Sequence, residues 1–351
     1  MAAPVEPLHV AHVNLSRGFR GGERQTQLLV EELATLGLVQ TLVLRGGEPL
    51  ALHAWPPGVQ VVSAASPLGG HLRLARRAHL IHAHEAKAGH FGLLHHMLFR
   101  SPYVLTRQVP FPVRDRFWSQ RVYAEAARVV AISPHVRDQV AQSLRAPAAI
   151  EVIANAVSYR PSNGLLRAEL NASHGRGMRF AVIGELADEN KGQSVAIAAF
   201  ARLADPALRL FIVGSGADER MLKERARADP RVHFVGFQKD VDAWLDAIDV
   251  LVFTSFYEGF GSIVLDAMAA LRAVVATDIA GYASLVRHND NCLLFPPGDV
   301  EALAHNLRRI EGDAAMTERL AQRAWVDAQA YSAHAMALRY MNLYRELKIT
   351  E

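Results

Sequence analysis

At 351 residues, half of them hydrophobic and 21% charged, the chain has room for two globular domains and a core that needs no cross-links. Its single cysteine, Cys292, excludes an intramolecular disulfide and a Cys-rich zinc framework, and it fits a reducing compartment. No run of about 18 apolar residues occurs to span a bilayer, and Met1–Pro7 lacks the basic and then apolar regions of a secretory signal.

The net charge of +3 is unevenly spread. Residues 1–157 carry 16 Lys and Arg against 10 Asp and Glu, and the remainder carries 22 against 25. A basic half joined to a mildly acidic half points to an anionic partner for the first half, or to charges on solvated faces.

In chain order, His9–Leu15 reads as a buried strand, Gly18–Gly22 as a loop and Glu23–Leu36 as an amphipathic helix stopped by Gly37. Strands are predicted at Gln40–Leu44, Val59–Val62 and His79–His84, a helix at Ala88–Phe99 and a strand at Tyr103–Thr106. The polar segment Arg160–Arg176 reads as a linker, with a short helix at Leu165–Leu170. The pattern then restarts. Strands are predicted at Arg179–Gly184, Leu208–Gly214, Val232–Val235, Val250–Thr254 and Ala273–Thr277. Helices are predicted at Val195–Ala204, Asp218–Ala228, Val241–Ala247 and Ser262–Ala270. Two βα series imply an α/β chain of two doubly wound, Rossmann-like domains facing a central cleft.

The most informative stretch is VLVFTSFYEGFGSIVLDAMAA. A strand ends at Thr254, a loop carries Glu258, Gly259, Phe260 and Gly261, and a helix opens near Ser262. The first amides of a helix have no partner one turn back, and glycines let an anion approach them, so such an end suits a phosphate. Glu258 and Asp266 flank that cradle, which suits a sugar nucleotide with hydroxyls at both ends and charge between. Taken alone, the glycines serve a plain turn equally well, and Asp266 a solvated helix face.

This stretch resembles glycosyltransferase family 4, whose members retain anomeric configuration and have the GT-B fold. Ser255, Glu258, Gly259, Phe260, Gly261, Ala267, Met268 and Ala269 match its motif of two glutamates seven residues apart, and Asp266 stands where the second glutamate is usual. The similarity runs along nearly the whole chain. It implies that Glu258 contacts the donor sugar and Asp266 the ribose. VIGELADENKG resembles the family's diphosphate loop, with Lys191 retained and Glu185 in place of an arginine; Arg20 is a conceivable substitute base. By the same resemblance Gly236, Phe237 and Val241 lie near the nucleobase. Gly21 and Gly22 lie against the phosphate or sugar, and His84, at the end of LIHAH, reaches the donor sugar. VVAISPHV and VIANAV match the end of the N-terminal domain.

The expected domains are 1–160 (N-terminal Rossmann-like, for the acceptor), 177–328 (donor) and 329–351, a last helix returning to the first domain. The expected catalytic residues are Glu258, Lys191 and His84. Gly259, Gly261, Ser262 and the other positions named above bind the donor. The implied reaction moves a hexose from a nucleoside-diphosphate sugar, most simply a UDP-sugar, to a hydroxyl of a glycan or glycolipid such as lipopolysaccharide core. The sugar nucleotide is a co-substrate, and no cofactor is expected. No metal is expected either, because the 16 histidines include no H-E-x-x-H pattern. Arg107, Arg114, Arg116 and Trp118, with Phe111 and Phe117, interleave cations and aromatics, which suits an anionic membrane surface or core aromatics beside a solvated basic face. Arg73, Arg76 and Arg77 form a second basic cluster. No motif supports nucleic-acid binding. The expected location is cytoplasmic, extending to the inner face of the cytoplasmic membrane. The competing readings are a GT-B epimerase or phosphorylase and a noncatalytic sugar-nucleotide-binding partner.

Overall fold

The computed structural model describes residues 7–64, 74 and 78–349; Arg73, Arg76 and Arg77 lie outside them. The chain divides into two compact units, one of residues up to Ser158 together with Tyr331 onward, the other Tyr159–Ala330.

The first unit holds a seven-stranded parallel sheet in the order β3-β2-β1-β4-β5-β6-β7. Its strands are β1 (His9–Asn14), β2 (Val39–Arg45), β3 (Val59–Ala64), β4 (Leu80–Ala83), β5 (Tyr103–Arg107), β6 (Arg128–Ala131) and β7 (Ile150–Val152). A sheet wrapped on both faces has no wet side, which is why these strands are near-continuous apolar runs. The helices Gly21–Thr35 and Ala333–Ile349 pack on one face: Leu28, Leu29, Leu33, Tyr340 and Tyr344 form one core with Val10, Leu80, Val104 and Val130. Each such buried side chain contributes about 1.5–3 kcal/mol. Side chains alternate along a strand, so His12, two residues after Val10, points to the face that carries Tyr340 and Tyr344. In the β1–β4 register His12 is paired with His82.

The second unit holds a six-stranded parallel sheet in the order β10-β9-β8-β11-β12-β13. These are β8 (Arg179–Ile183), β9 (Arg209–Val213), β10 (Val232–Gly236), β11 (Val250–Phe253), β12 (Ala273–Thr277) and β13 (Leu293–Phe295). Its core joins Phe180, Val182, Leu210, Ile212, Val252 and Val275 to Phe200, Leu303 and Leu307 on the covering helices.

Three expectations change. Gly21 and Gly22 open the first helix instead of ending a loop, because the Glu23 carboxylate accepts the N–H of Arg20 (2.9 Å) and closes that first turn. The diphosphate-like loop contains a one-turn helix, Asp188–Lys191, before the helix Gln193–Phe200. The segment expected as a linker is part of the second unit and carries a ten-residue helix, Leu165–His174, so the units meet at Ser158 and Tyr159 instead of residue 160. Carboxylates explain this. Asp246 accepts from the Tyr159 hydroxyl and the Ser162 N–H, both at 2.6 Å. The Arg167 guanidinium reaches Asp249 (2.6 Å) and the carbonyls of Asp246 and Ile248.

Candidate functional site

In the second unit the site grows from the carboxyl ends of β8, β9 and β11, where open α/β sheets bind ligands. The turn Asp188–Lys191 is tied to the end of β11: Thr254 Oγ1 donates to the Lys191 carbonyl (2.7 Å), and the Phe256 N–H to the Asn190 carbonyl (2.9 Å). These bonds bring Lys191 to Glu258 across 67 positions, with Nζ 2.5 Å from Oε1. Both side chains are partly buried, at 31% and 18% exposure, so the pair is screened less than a surface pair. The site thus holds one cation and one carboxylate that neutralise each other, and both keep hydrogen-bonding capacity for a ligand.

The Glu258 loop is held by backbone contact. A Cβ on Gly281 would lie 2.0 Å from the Glu258 carbonyl oxygen, so only glycine fits there. Gly261 caps the helix Ser262–Ala269 in the left-handed conformation (φ +72°), and its carbonyl accepts from the N–H groups of Val264 and Leu265. Beneath it, Tyr282 is buried and bonded to Thr277, whose Oγ1 donates to the Ser255 carbonyl (2.7 Å). Phe260 is buried and shapes the loop from within, while Gly259 and Ser262 flank it.

Asp266 is buried, and its Oδ1 accepts the Tyr159 N–H at 3.0 Å. The shorter acid in the second motif position therefore anchors the chain where the second unit begins. Gly236 ends β10 with φ +70°, Phe237 after it is 73% exposed, and Val241 opens the helix Val241–Ala247 capped by Asp240. Glu185 has its side chain exposed, and its carbonyl accepts from Gln193 Nε2 (2.7 Å). Two positions not singled out from the sequence matter here. A Cβ on Gly214 would lie 1.8 Å from the Gly184 carbonyl oxygen, and one on Gly216 2.2 Å from that of Leu186. The G-S-G run directly after β9 was the available signal.

In the first unit, Gly21 and Gly22 are the first two residues of their helix, and open space or the Gln108 side chain (3.8 Å) would meet a Cβ there. His84 lies just past β4 and belongs to a buried cluster with His12 and His82. His12 Nδ1 and His84 Nε2 are 3.0 Å apart. His82 spends both nitrogens, Nε2 on Thr106 Oγ1 (2.7 Å) and Nδ1 on the Tyr344 hydroxyl (2.6 Å). The Tyr340 hydroxyl meets Thr106 Oγ1 at 3.0 Å. Burial is the main cause that lowers His12 from 6.5 to about 3. Burial, joined by repulsion from neighbouring imidazoles, lowers His82 and His84 well below the ordinary value. One nitrogen of each ring lies within 4.8 Å of the others, a spacing a metal ion could bridge. The hydrogen bonds named above engage both nitrogens of His82 and one nitrogen each of His12 and His84. His12 and the tyrosines were not foreseen, because 72 to 262 positions separate the bonded partners.

The segment with interleaved cations and aromatics divides. Arg107 closes its own loop by donating to the carbonyls of Val109 (3.2 Å) and Phe111 (2.6 Å). Arg114, Arg116, Phe117 and Trp118 are exposed, and the Arg121 guanidinium lies 5.9 Å from the Trp118 ring centre. No helix among the described residues is long and apolar enough to cross a membrane.

Residues 19–159 match the family described as Glycosyltransferase Family 4, and residues 177–313 match Glycosyl transferases group 1. The lipopolysaccharide core biosynthesis glycosyltransferase LpsE of Rhizobium meliloti (strain 1021) is 34% identical over 138 residues, 38% of this chain and 40% of LpsE. LpsD of the same strain, with the same description, is 28% identical over 206 residues, 56% of this chain and 57% of LpsD. The chain spans about half the length of the curated relatives it matches. The solved structure of Anabaena HepE in complex with UDP-glucose has a TM-score of 0.79 and 21% identity, covering 97% of this chain and all of that one, a likeness of fold. The chain belongs to the group 1, family 4 glycosyltransferases, and its two parallel-sheet units are those of the GT-B architecture.

Proposed function

We propose that the protein is a retaining hexosyltransferase that moves a sugar from a nucleoside-diphosphate sugar, a UDP-sugar in the simplest case, to a hydroxyl of a lipopolysaccharide-core glycan or glycolipid. The observation that carries this reading is the Lys191–Glu258 pair at the mouth of the Gly259–Gly261 loop. The names of LpsE and LpsD support the acceptor class, and the UDP-glucose complex of HepE supports the donor class.

In this reading an arriving diphosphate takes Lys191, and Glu258 turns to a hydroxyl of the donor sugar. As the bond from the anomeric carbon to phosphate oxygen breaks, charge grows on the diphosphate, and Lys191 and the amides of the Ser262 helix stabilise it. The acceptor oxygen attacks from the face the phosphate leaves, and its proton passes to the departing phosphate oxygen. The reaction needs no metal. Gly236, Phe237 and Val241 lie against the base, Asp266 reaches the ribose, and Gly21, Gly22 and His84 meet the sugar and phosphate. Exposed Arg114, Arg116 and Trp118 rest on the anionic inner face of the cytoplasmic membrane.

A thermal-shift screen of UDP, GDP, ADP and their sugars, followed by transfer assays, tests this, since a ligand of the folded state raises its melting point. We expect a UDP-sugar to give the largest shift. A shift with no turnover on a broad acceptor panel would favour a noncatalytic binding partner, and donor consumption without transfer would favour another GT-B reaction. Sedimentation with anionic vesicles should carry the protein down, and charge reversal of Arg114 and Arg116 should abolish it; equal recovery on neutral vesicles sinks the membrane contact.

A further inference from the structure

Surface helices of this chain turn polar side chains to solvent: Pro134–Ser143 exposes Arg137, Asp138 and Gln142, and Ala314–Ala328 exposes Glu318, Arg319 and Arg323. The helix Ala86–Phe99 differs. Its inner face packs on the first unit's sheet, where a Cβ on Gly89 would lie 3.1 Å from Leu105 and one on Gly92 2.9 Å from the Tyr103 ring. Its outer face carries Leu94, Met97 and Leu98, spaced i, i+3, i+4 as one helical stripe, and they are 41%, 45% and 55% exposed. Phe99, also exposed, ends the helix. A helix that is apolar on both faces belongs inside a larger body or against an apolar phase. With 14 residues it is too short to span a bilayer, which takes about 20, and its length suits a helix lying in the interface.

Charge decides what that phase is. Residues 86–114 contain no Asp or Glu and carry Lys87, Arg100, Arg107 and Arg114. The acids on either side of this span are engaged. Glu85 caps the helix by accepting the N–H groups of Lys87 (2.6 Å) and Ala88 (2.9 Å), Asp115 meets Arg145 (2.6 Å) and Glu125 meets Arg121 (3.4 Å). Arg100, Arg114 and Arg116 are exposed and have no carboxylate partner among the described residues. The helix Phe117–Ala124, with exposed Phe117 and Trp118, lies in the same layer: a Cβ on Gly89 would stand 2.8 Å from Val122. Tyr103 and Leu105 alternate with Val104, which faces Tyr340 and Tyr344, so this layer covers the side of the sheet away from the helix Ala333–Ile349. Apolar side chains and unpaired cations in one layer fit a negatively charged lipid surface, with acyl chains for the stripe and headgroup phosphates for the arginines.

We infer that the helix Ala86–Phe99 is an interfacial anchor: Leu94, Met97, Leu98 and Phe99 enter the acyl boundary of an anionic bilayer, and Arg100 meets a lipid phosphate beside them. The anchor deepens the membrane contact proposed for Arg114, Arg116 and Trp118 and rests on that reading. It sets the bilayer against the layer of the first unit that holds both helices.

Leu98→Cys, labelled with an environment-sensitive fluorophore, reads insertion directly, because the one native thiol, Cys292, is buried. Vesicles of equal parts phosphatidylglycerol and phosphatidylcholine should shift its emission to the blue, and lipids carrying a quencher on the acyl chain should quench it. The same label on Leu338→Cys, exposed on the helix Ala333–Ile349, should not respond. A silent label at position 98 on protein that sediments with these vesicles overturns the anchor and leaves the contact of Arg114 and Arg116 standing. Insertion that survives charge reversal of Arg114 and Arg116 supports the anchor and removes that contact. An equal shift with phosphatidylcholine alone overturns the inference, because charge would then have no part. Leu98→Glu should weaken binding to the anionic vesicles at least about tenfold with an unchanged melting temperature, and Leu98→Phe should keep it. Arg100→Glu should weaken it about fivefold. Equal binding by Leu98→Glu and the wild type counts against the anchor. So does a dimer of the free chain in sedimentation velocity that Leu98→Glu splits, since a second copy would then cover the stripe.

Discussion

The two units place polar chemistry at the same part of their sheets, the carboxyl ends of parallel strands, and build it from opposite materials. In the second unit, main chain meets main chain at Gly214, Gly216 and Gly281, and one exposed-end ion pair, Lys191–Glu258, lies above them. In the first unit three imidazoles, two phenols and a threonine hydroxyl lie inside the core and hydrogen-bond to one another. A site framed by backbone is sensitive to added atoms and indifferent to mild acid. A site framed by buried imidazoles is sensitive to protons, because burial favours their neutral form.

Acid should separate the two most sharply. For His12 the folded value lies below the unfolded 6.5, so the unfolded chain takes up the proton first as pH falls. Its contribution is full above 6.5 and should be lost by about 3 kcal/mol by pH 4.5. His82 and His84 act in the same direction. In the second unit the Arg231 guanidinium holds Asp229 below its ordinary 3.8, so that contribution is present above 3.8 and disappears only below it. Half-buried His174 and His233, also lowered by burial, add a weaker slope. Denaturant unfolding at a series of pH values, read by a probe in each unit, checks this; equal loss in both units between 6.5 and 4.5 breaks the comparison.

Gly281→Ala comes next. The added methyl group cannot coexist with the Glu258 carbonyl, and about 1–3 kcal/mol of stability should go, with displacement of Glu258 and loss of transfer. A normal melting curve would mean that the loop yields freely. Lys191→Ala and Glu258→Ala should each lower transfer at least about tenfold, or 1.4 kcal/mol, with the fold intact by circular dichroism; near-normal rates in both remove this site. The smallest effect belongs to Gly21→Ala in the first unit. A Cβ there meets nothing within 4 Å, so stability should rise by about 0.4–1 kcal/mol. Weaker sugar-nucleotide binding despite that gain would identify Gly21 as a point of close ligand approach, and unchanged binding would make it an ordinary first helical residue.

How much was legible follows the same division. The strands of each unit are short apolar runs separated by helical spacing, and the Glu258 loop announces itself through glycines and an acid within a few residues of a helix start. Lys191 was named from the resemblance of VIGELADENKG to the family's diphosphate loop, and the fold brings it to Glu258. The anchoring contact of Asp266 was not legible, because its partner is the main-chain N–H of Tyr159, 107 positions away. The length of the linker was misread for the same reason: its polar residues look like solvent-facing chain until Asp246 and Asp249 are seen to hold Tyr159, Ser162 and Arg167. Glu185 reads as a repulsive charge in a phosphate loop, and only the fold turns that side chain to solvent.

By itself the sequence determined the two parallel-sheet units, the loop of Glu258 to Gly261 and the helix that follows it, since these depend on periodicity and on glycine's freedom within a few residues. Only the tertiary structure decided which carboxylates anchor the chain, which glycines bear main-chain contact, and how His12 is joined to His84. Those depend on contacts between segments 23 to 107 positions apart, and spacing along a chain carries no record of such distances.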